Sequence, residues 1–158
     1  MMFKRITVSE FERALLFHDG RFVRLLDPGL HWIRGMTVVV DVRRRDTQVD
    51  VAPVHTLDLV PIGIRLQLTY RVTDPKAAVL QSFEYRSHLV NDATAAVHRA
   101  ISAVATVGLP AAHRTLEYQI HDRLSLEAAS YGVRVEDVAI VQVRFPRALR
   151  KKLKRMEV

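Results

Sequence analysis

Apolar and polar residues alternate without interruption over residues 61–73, PIGIRLQLTYRVT. A period of two predicts a β-strand with one face in the core and the other toward solvent or a neighbouring subunit. The core face would carry Ile62, Ile64, Leu66, Leu68, Tyr70 and Val72. Arg65, Gln67 and Arg71 project together from the opposite face, and we predict that they form an assembly face.

Before this central strand, short apolar segments separated by turn residues predict an N-terminal half made of sheet. Asp19-Gly20 favours the tight turn of a hairpin, which the following segment would continue as a meander. Further strands or extended segments are predicted at residues 38–43, 48–51 and 57–60. A run of three arginines, residues 43–45, is interpreted as a solvated strand edge, with a phosphate site as the alternative.

From Asp74 onward, apolar residues recur every three or four positions, which predicts helices. Asp74 can cap a short helix that has Pro75 at its first position. Two longer helices are predicted, from after Ser82 to about Val107 and from near Pro110 to Gly132. The chain would then close with a strand over residues 133–145 that has a bulge at Glu136-Asp137 and a buried middle.

The 158 residues fit one domain, and the lack of cysteine excludes disulfides, thiolate metal sites and a cysteine nucleophile. No apolar run is long enough to predict a membrane-spanning helix or a signal peptide. The net charge of +7 arises at the C-terminus, because residues 1–143 carry 17 bases and 16 acids. Seven bases without an acid follow: Arg144, Arg147, Arg150, Lys151, Lys152, Lys154 and Arg155. We predict that they contact a membrane surface or an acidic partner.

We divide the chain into a domain, residues 1–146, and a basic amphipathic tail, residues 147–158. Leu149, Leu153 and Met156 would share one side of a helix in this tail. Two interpretations stay open, since the tail could begin a longer assembling helix or lie on an anionic membrane. Nucleic-acid binding by the same bases is the alternative function. Against it, Phe145 is the one aromatic residue within the basic stretch of residues 144–155, and no neighbouring aromatic offers a platform for nucleic-acid bases to stack on.

The common catalytic and nucleotide-binding motifs are absent from the sequence. GxGxxG, GxxxxGK[ST] and GxSxG do not occur, which removes the common nucleotide-binding and esterase interpretations. The seven histidines form no HExxH or HxxxH pair. His88 and Asp92 could meet across one helical turn, and we interpret them as a hydrogen-bonded surface pair, with a metal or acid-base site as the alternative. We therefore predict no enzymatic activity, no catalytic residue, no metal and no cofactor.

Four segments stand in an order and spacing that would be hard to obtain by chance: ERALLFHDGRFVRLLDPGLHWI, VDVRRRDTQVDV, TLDLVPIGIRLQLTYRVTDP and YGVRVEDVAIVQVRFPRAL. Together they resemble the stomatin, prohibitin and flotillin group, also called the SPFH or Band 7 domain. The resemblance covers about residues 8–149. The stretch PGLHWI is most similar to the stomatin and slipin branch.

The resemblance implies an α+β fold with a curved antiparallel β-sheet, two or three packed helices and a final buried strand. It also implies a non-enzymatic scaffold that forms homo-oligomers. This scaffold would bind as a peripheral protein to an anionic membrane surface, at the cytoplasmic, inner face of the cell membrane. Slipins in prokaryotes are linked to a membrane-anchored serine protease, which is therefore an expected partner, whereas nucleic acid is not.

Three features depart from the family pattern. The family's hydrophobic N-terminal segment and long C-terminal assembling helix are not in this chain, and LPAAHRTLEYQIHDRL replaces the usual start of the third helix. We therefore expect either an excised domain or a short soluble relative.

Overall fold

The elements follow the predicted order of sheet, helices and a closing strand. The computed structural model describes residues 2–82 and 84–156. The strands within those ranges are β1 (Lys4–Val8), β2 (Glu12–His18), β3 (Arg21–Leu26), β4 (Gly29–Ile33), β5 (Met36–Asp41), β6 (Arg45–His55), β7 (Pro61–Val72) and β8 (Val133–Arg144). The helices there are α1 (Pro75–Gln81), α2 (Tyr85–Ile101), α3 (Leu109–Ala129) and α4 (Arg147–Met156).

Strand β7 lies between β6 and β8 in an antiparallel sheet, which confirms the predicted central strand. Leu66 faces Val49 on β6 and Ile140 on β8, so one apolar row crosses all three strands. The side chains of Ile64, Leu66 and Leu68 are fully buried. The side chains of this row form the sheet side of the main core.

Helices α2 and α3 cover the apolar face of that sheet. Their buried residues recur at spacings of three and four and join the same core as β7: Leu89, Val97, Ile101, Leu116, Ile120 and Leu124. The short helix α1 begins as predicted, with Pro75 in its first turn and the Asp74 side chain accepting a hydrogen bond from the Ala77 backbone at 3.1 Å. The sequence pattern thus directs both the sheet and the helices onto one core.

Two smaller antiparallel sheets complete the N-terminal half, one ordered β3-β2-β5 and the other β1-β4. The hairpin turn between β2 and β3 is confirmed, since Asp19 and Gly20 have φ angles of +51° and +76°. The predicted meander is wrong beyond that point, because β4 pairs with β1 and β5 returns to β2. Ile33 of β4 and Val8 of β1 belong to a second small core with β2, which explains the pairing.

The closing strand confirms the predicted bulge. Thr69 faces Asp137 and Tyr70 faces Val135, so Glu136 is the additional residue. A second bulge lies at Val141, which is 47% exposed although the pattern predicts a buried middle. Four other apolar residues of the strand are buried as expected, whereas Ala139 and Val143 are half-buried: Val133, Val135, Val138 and Ile140 are the buried ones. The α+β class with antiparallel sheets and packed helices is confirmed.

Two predicted elements differ from the structure. Helix α2 ends at Ile101 instead of Val107, and a 3-10 turn at Thr106–Gly108 leads into α3. The expected strand over residues 57–60 is a turn, in which the Val60 backbone donates to Thr56 Oγ1 at 3.1 Å. Both differences arise from side-chain hydrogen bonds that apolar periodicity does not report.

Candidate interaction surfaces

The predicted assembly face lies on the side of β7 away from the core row. Gln67 faces Gln48 on β6 and Ala139 on β8 and lies between Arg65 and Arg71 along the strand. The two flanking arginines are already paired within the chain. Arg65 Nε donates to Asp50 Oδ1 at 2.9 Å, and Arg71 Nε lies 2.6 Å from Glu136 Oε1.

Each of these carboxylates serves two arginines. Arg144 Nη2 lies 3.6 Å from the Asp50 oxygen, and Arg44 Nε lies 3.3 Å from Glu136. The hydrogen bond from Arg65 lowers the pKa of Asp50, and the charge of Arg144 acts in the same direction. Arg144, the first base of the predicted basic set, therefore belongs to this polar face.

The arginine run at residues 43–45 also binds carboxylates of the same chain. Arg43 Nη2 and Arg45 Nη2 lie 2.7 Å and 2.6 Å from Asp41 Oδ2. Arg43 also stacks over the Phe11 ring, 4.0 Å from its centre. The hydrogen bond from Arg43 is the main reason why the pKa of Asp41 lies well below its usual range. These pairs favour a structural role over the phosphate site.

The predicted tail is helical, since α4 spans Arg147–Met156. Leu149 is half-buried, whereas the side chains of Leu153 and Met156 lie outside the description. The tail's bases are exposed: Arg147, Arg150, Lys151, Lys152, Lys154 and Arg155. None of them forms an ion pair with a carboxylate of residues 2–82 or 84–156. Their charge is thus available to a partner.

His88 and Asp92 do not bond each other, contrary to the surface-pair interpretation. Nδ1 of His88 lies 2.8 Å from Ser82 Oγ, and the Tyr131 hydroxyl donates to Asp92 Oδ2 at 2.8 Å. The His88 ring stacks on Tyr131 with centres 5.2 Å apart. Burial, followed by the bond to Asp92, raises the pKa of Tyr131 well above its ordinary value. The group ties α2 to the end of α3.

Sequence reasoning missed a hydrogen-bonded clamp at Asp58. Oδ1 of Asp58 accepts from Thr56 Oγ1 at 2.6 Å and from the backbone and hydroxyl of Thr106 at 3.0 and 2.9 Å. These bonds lower the pKa of Asp58 to about 2. The clamp joins the turn before β7 to the 3-10 turn before α3. A signal was present, because the resembling segment TLDLV contains the Thr-x-Asp spacing.

The free edge of β8 is partly covered by side chains of α3. The Ile140 backbone donates to Glu117 Oε1 at 3.3 Å, and His121 Nε2 lies 3.2 Å from the Val135 carbonyl oxygen. Such coverage discourages pairing with another strand along this edge. At this end of the sheet, the sheet face is therefore a better candidate for assembly than the edge of β8.

Sequence reasoning also missed a second exposed sheet face. Arg5 lies opposite Trp32 and Thr7 opposite Leu30 in the β1-β4 pair. We call the outward residues Phe3, Arg5, Leu30 and Trp32 the N-terminal face. Its three large apolar side chains are 66%, 57% and 65% exposed at Phe3, Leu30 and Trp32, respectively. In the sequence, the stretch PGLHWI, which contains Leu30 and Trp32, indicated only a family resemblance and not an exposed face.

The described ranges contain no group of three or more metal-binding His, Asp or Glu side chains. They also contain no single helix whose length and apolar composition suit a membrane crossing. One sharply bent pair, Tyr85–Ile101 with Thr106–Ala129 at 105°, passes that test only when its two parts are taken together.

Comparison with known proteins adds independent information. Residues 6–158 match the model of the SPFH domain / Band 7 family. A stomatin homolog from Pyrococcus horikoshii is 28% identical over 94% of this chain and 57% of its own length. A stomatin homolog from Pyrococcus abyssi is 28% identical over 91% of this chain and 55% of its own. An uncharacterised Archaeoglobus fulgidus protein is 29% identical over 91% of this chain and 59% of its own. The chain thus spans somewhat more than half the length of these relatives.

Proposed function

Because the chain belongs to the SPFH domain / Band 7 family, we propose that it is a non-enzymatic scaffold of the stomatin and slipin type. In this proposal it binds peripherally to an anionic membrane surface, at the cytoplasmic, inner face of the cell membrane, and self-assembles there. The observation that carries the proposal is the family match over residues 6–158.

The basic tail supports the membrane part of the proposal. Helix α4 carries six exposed bases, and none of them has an acidic partner among the described residues. Each base near an anionic bilayer contributes on the order of 1 kcal/mol, which is lost as salt screens the charges. We propose that residues 147–158 form this basic helical element beside the domain of residues 1–146, and that the helix is the first part of an assembling helix in a longer chain.

The polar face of β7 supports the assembly part. Arg65 and Arg71 hold half-exposed ion pairs, which contribute little net stability and can exchange partners with a neighbouring subunit at small cost. Gln67 lies between them, and its side chain forms no hydrogen bond within residues 2–82 and 84–156, so the amide can pair across a symmetric contact. We propose this row as the contact between copies, and a membrane-anchored serine protease as a partner of the assembled scaffold.

Light scattering over a concentration series tests self-assembly. The mass of the unmodified chain should rise with concentration. Gln67→Lys, which places like charges across a symmetric contact, should lower the mass, while Asn91→Lys, at an exposed position of helix α2, should not. A mass that stays monomeric at every concentration would contradict assembly through this chain.

Sedimentation with anionic vesicles tests the tail. A variant with Lys151→Glu, Lys152→Glu and Lys154→Glu should bind more weakly than one with the same charge change at three other exposed bases, Arg21, Arg24 and Arg99. Equal loss in both variants would show that only net charge matters. Stronger binding to DNA than to vesicles would instead favour the nucleic-acid function.

A further inference from the structure

The N-terminal face combines exposed apolar side chains with bases. The opposite, inner side of the β1-β4 pair is buried, because Val8 and Ile33 pack with Ala14, Leu16 and Leu26 in the second core. The outward side has no such partner among the described residues and exposes Phe3, Leu30 and Trp32. Several large apolar side chains on one open sheet face are typical of an interaction surface.

Charge distinguishes the candidate partners of this face. Arg5 lies on the outward side of β1 and Arg34 directly follows β4, and residues 2–8 and 29–34 contain no acid. In the described part of the chain, none of these bases forms an ion pair. A second copy seated symmetrically on the face would bring two basic surfaces together with no acid between them, which repels. An anionic lipid surface attracts them.

The apolar side chains suit the same partner. Tryptophan is favoured at the level of lipid headgroups because its ring is apolar and its indole N–H is polar. Arg5, directly opposite Trp32 in the register, can reach a lipid phosphate while the ring enters the apolar boundary. Phe3 and Leu30 extend the apolar contact on both sides of that pair.

We propose that the N-terminal face docks on an anionic bilayer, with Trp32, Phe3 and Leu30 in the interface and Arg5 on lipid phosphates. The inference rests on the proposed membrane association and assigns it a surface apart from the basic tail. Docking here would place the small β1-β4 sheet against the lipid.

Vesicle sedimentation of matched variants tests the inference. The combined variant Leu30→Ser with Trp32→Ser should bind phosphatidylglycerol vesicles about a hundredfold more weakly, roughly tenfold for each large side chain. The control Leu126→Ser changes a leucine on α3 that is 77% exposed and should bind like the unmodified chain. Melting temperatures of all three should agree, because the substituted positions are exposed.

The outcomes separate the two proposals. Loss of binding in the double variant but not in the control supports the docking face. Unchanged binding in the double variant, together with loss in the tail variant, overturns the docking face and leaves membrane association standing. If the unmodified chain binds no vesicle, membrane association itself fails. A lower oligomer mass in the double variant with unchanged vesicle binding assigns the face to a second copy and also overturns the inference.

Discussion

Two open sheet faces of this molecule both carry arginines, and they differ in what those arginines contact. On the β6-β7-β8 sheet, Arg65 and Arg71 are held by carboxylates of adjacent strands. On the β1-β4 sheet, Arg5 lies opposite Trp32, and neither strand contains an acid. The arginines of the first face are already paired within the chain, so we expect a second copy to meet it through Gln67 or by exchange of these partly exposed ion pairs. The second face leaves basic charge and apolar surface for an anionic partner. Two exposed faces that carry arginines can therefore suit different kinds of partner.

The largest expected effect separates the inner from the outer side of β7. Leu66→Ala removes a fully buried side chain from the core row and should lower the free energy of unfolding by roughly 2–5 kcal/mol. Gln67→Ala, one position along on the polar side, should change it by less than about 0.5 kcal/mol. Chemical denaturation of both variants measures the difference. A harmless Leu66→Ala would mean that the faces of the strand are wrongly assigned.

A smaller effect is expected from the carboxylate that two arginines share. Glu136→Gln removes the partner of both Arg44 and Arg71 and should cost about 1 kcal/mol, because the arginines stay half-exposed. Asp122→Asn, at a carboxylate that is 76% exposed, is the control and should have no measurable effect. Thermal unfolding at low and high salt compares them. Equal stability of Glu136→Gln and the parent would show that pairing on this face is incidental.

Acid pH should distinguish the two faces as well. The pKa of Asp50 is lower in the folded state than its ordinary value of 3.8, so its contribution to stability is present above that pH and is lost as the pH falls below it. Asp50→Asn should therefore flatten the acid side of the melting-temperature profile. Arg5→Gln on the other face should leave the profile's shape unchanged, since no carboxylate pairs with Arg5 among the described residues. Parallel profiles for the parent and Asp50→Asn would refute the pairing.

The smallest effect on stability is expected at the N-terminal face. Trp32→Ser exchanges a side chain that is 65% exposed, and the free energy of unfolding should change by less than about 0.5 kcal/mol. Ile33→Ala, the next residue but buried in the second core, should cost roughly 2–5 kcal/mol. Denaturant titration of both compares outward and inward positions of one strand. A large loss at Trp32 would make that residue structural.

Local patterns predicted those parts of the fold that depend on local chemistry. Alternation gave the central strand, and Asp74 with Pro75 gave the start of α1, because side-chain period and capping act within a few residues. The end of α2 was not predictable in this way, since apolar residues continue to Val107. The Asp58 clamp on Thr106, between residues far apart in the chain, decides that boundary.

The residues of the candidate sites likewise fall into those that local spacing predicts and those that depend on how distant strands pair. The bases of α4 and the outward position of Gln67 follow from spacing alone. The pairs Arg71 with Glu136 and Arg65 with Asp50 depend on strand register, which a single sequence does not reveal. The N-terminal face was missed because its apolar residues come from two short strands whose pairing, β1 with β4, departs from the predicted meander.

Trp32 is the only tryptophan of the chain, so its fluorescence in the unmodified protein reports directly on the proposed docking face. If the N-terminal face docks on lipid, phosphatidylglycerol vesicles should shift the emission of Trp32 to shorter wavelength, and bromine atoms on the upper part of the lipid tails should quench it. Vesicles of neutral phosphatidylcholine should produce a much smaller change. Protein that sediments with the anionic vesicles while the emission of Trp32 stays unshifted and unquenched would contradict the account.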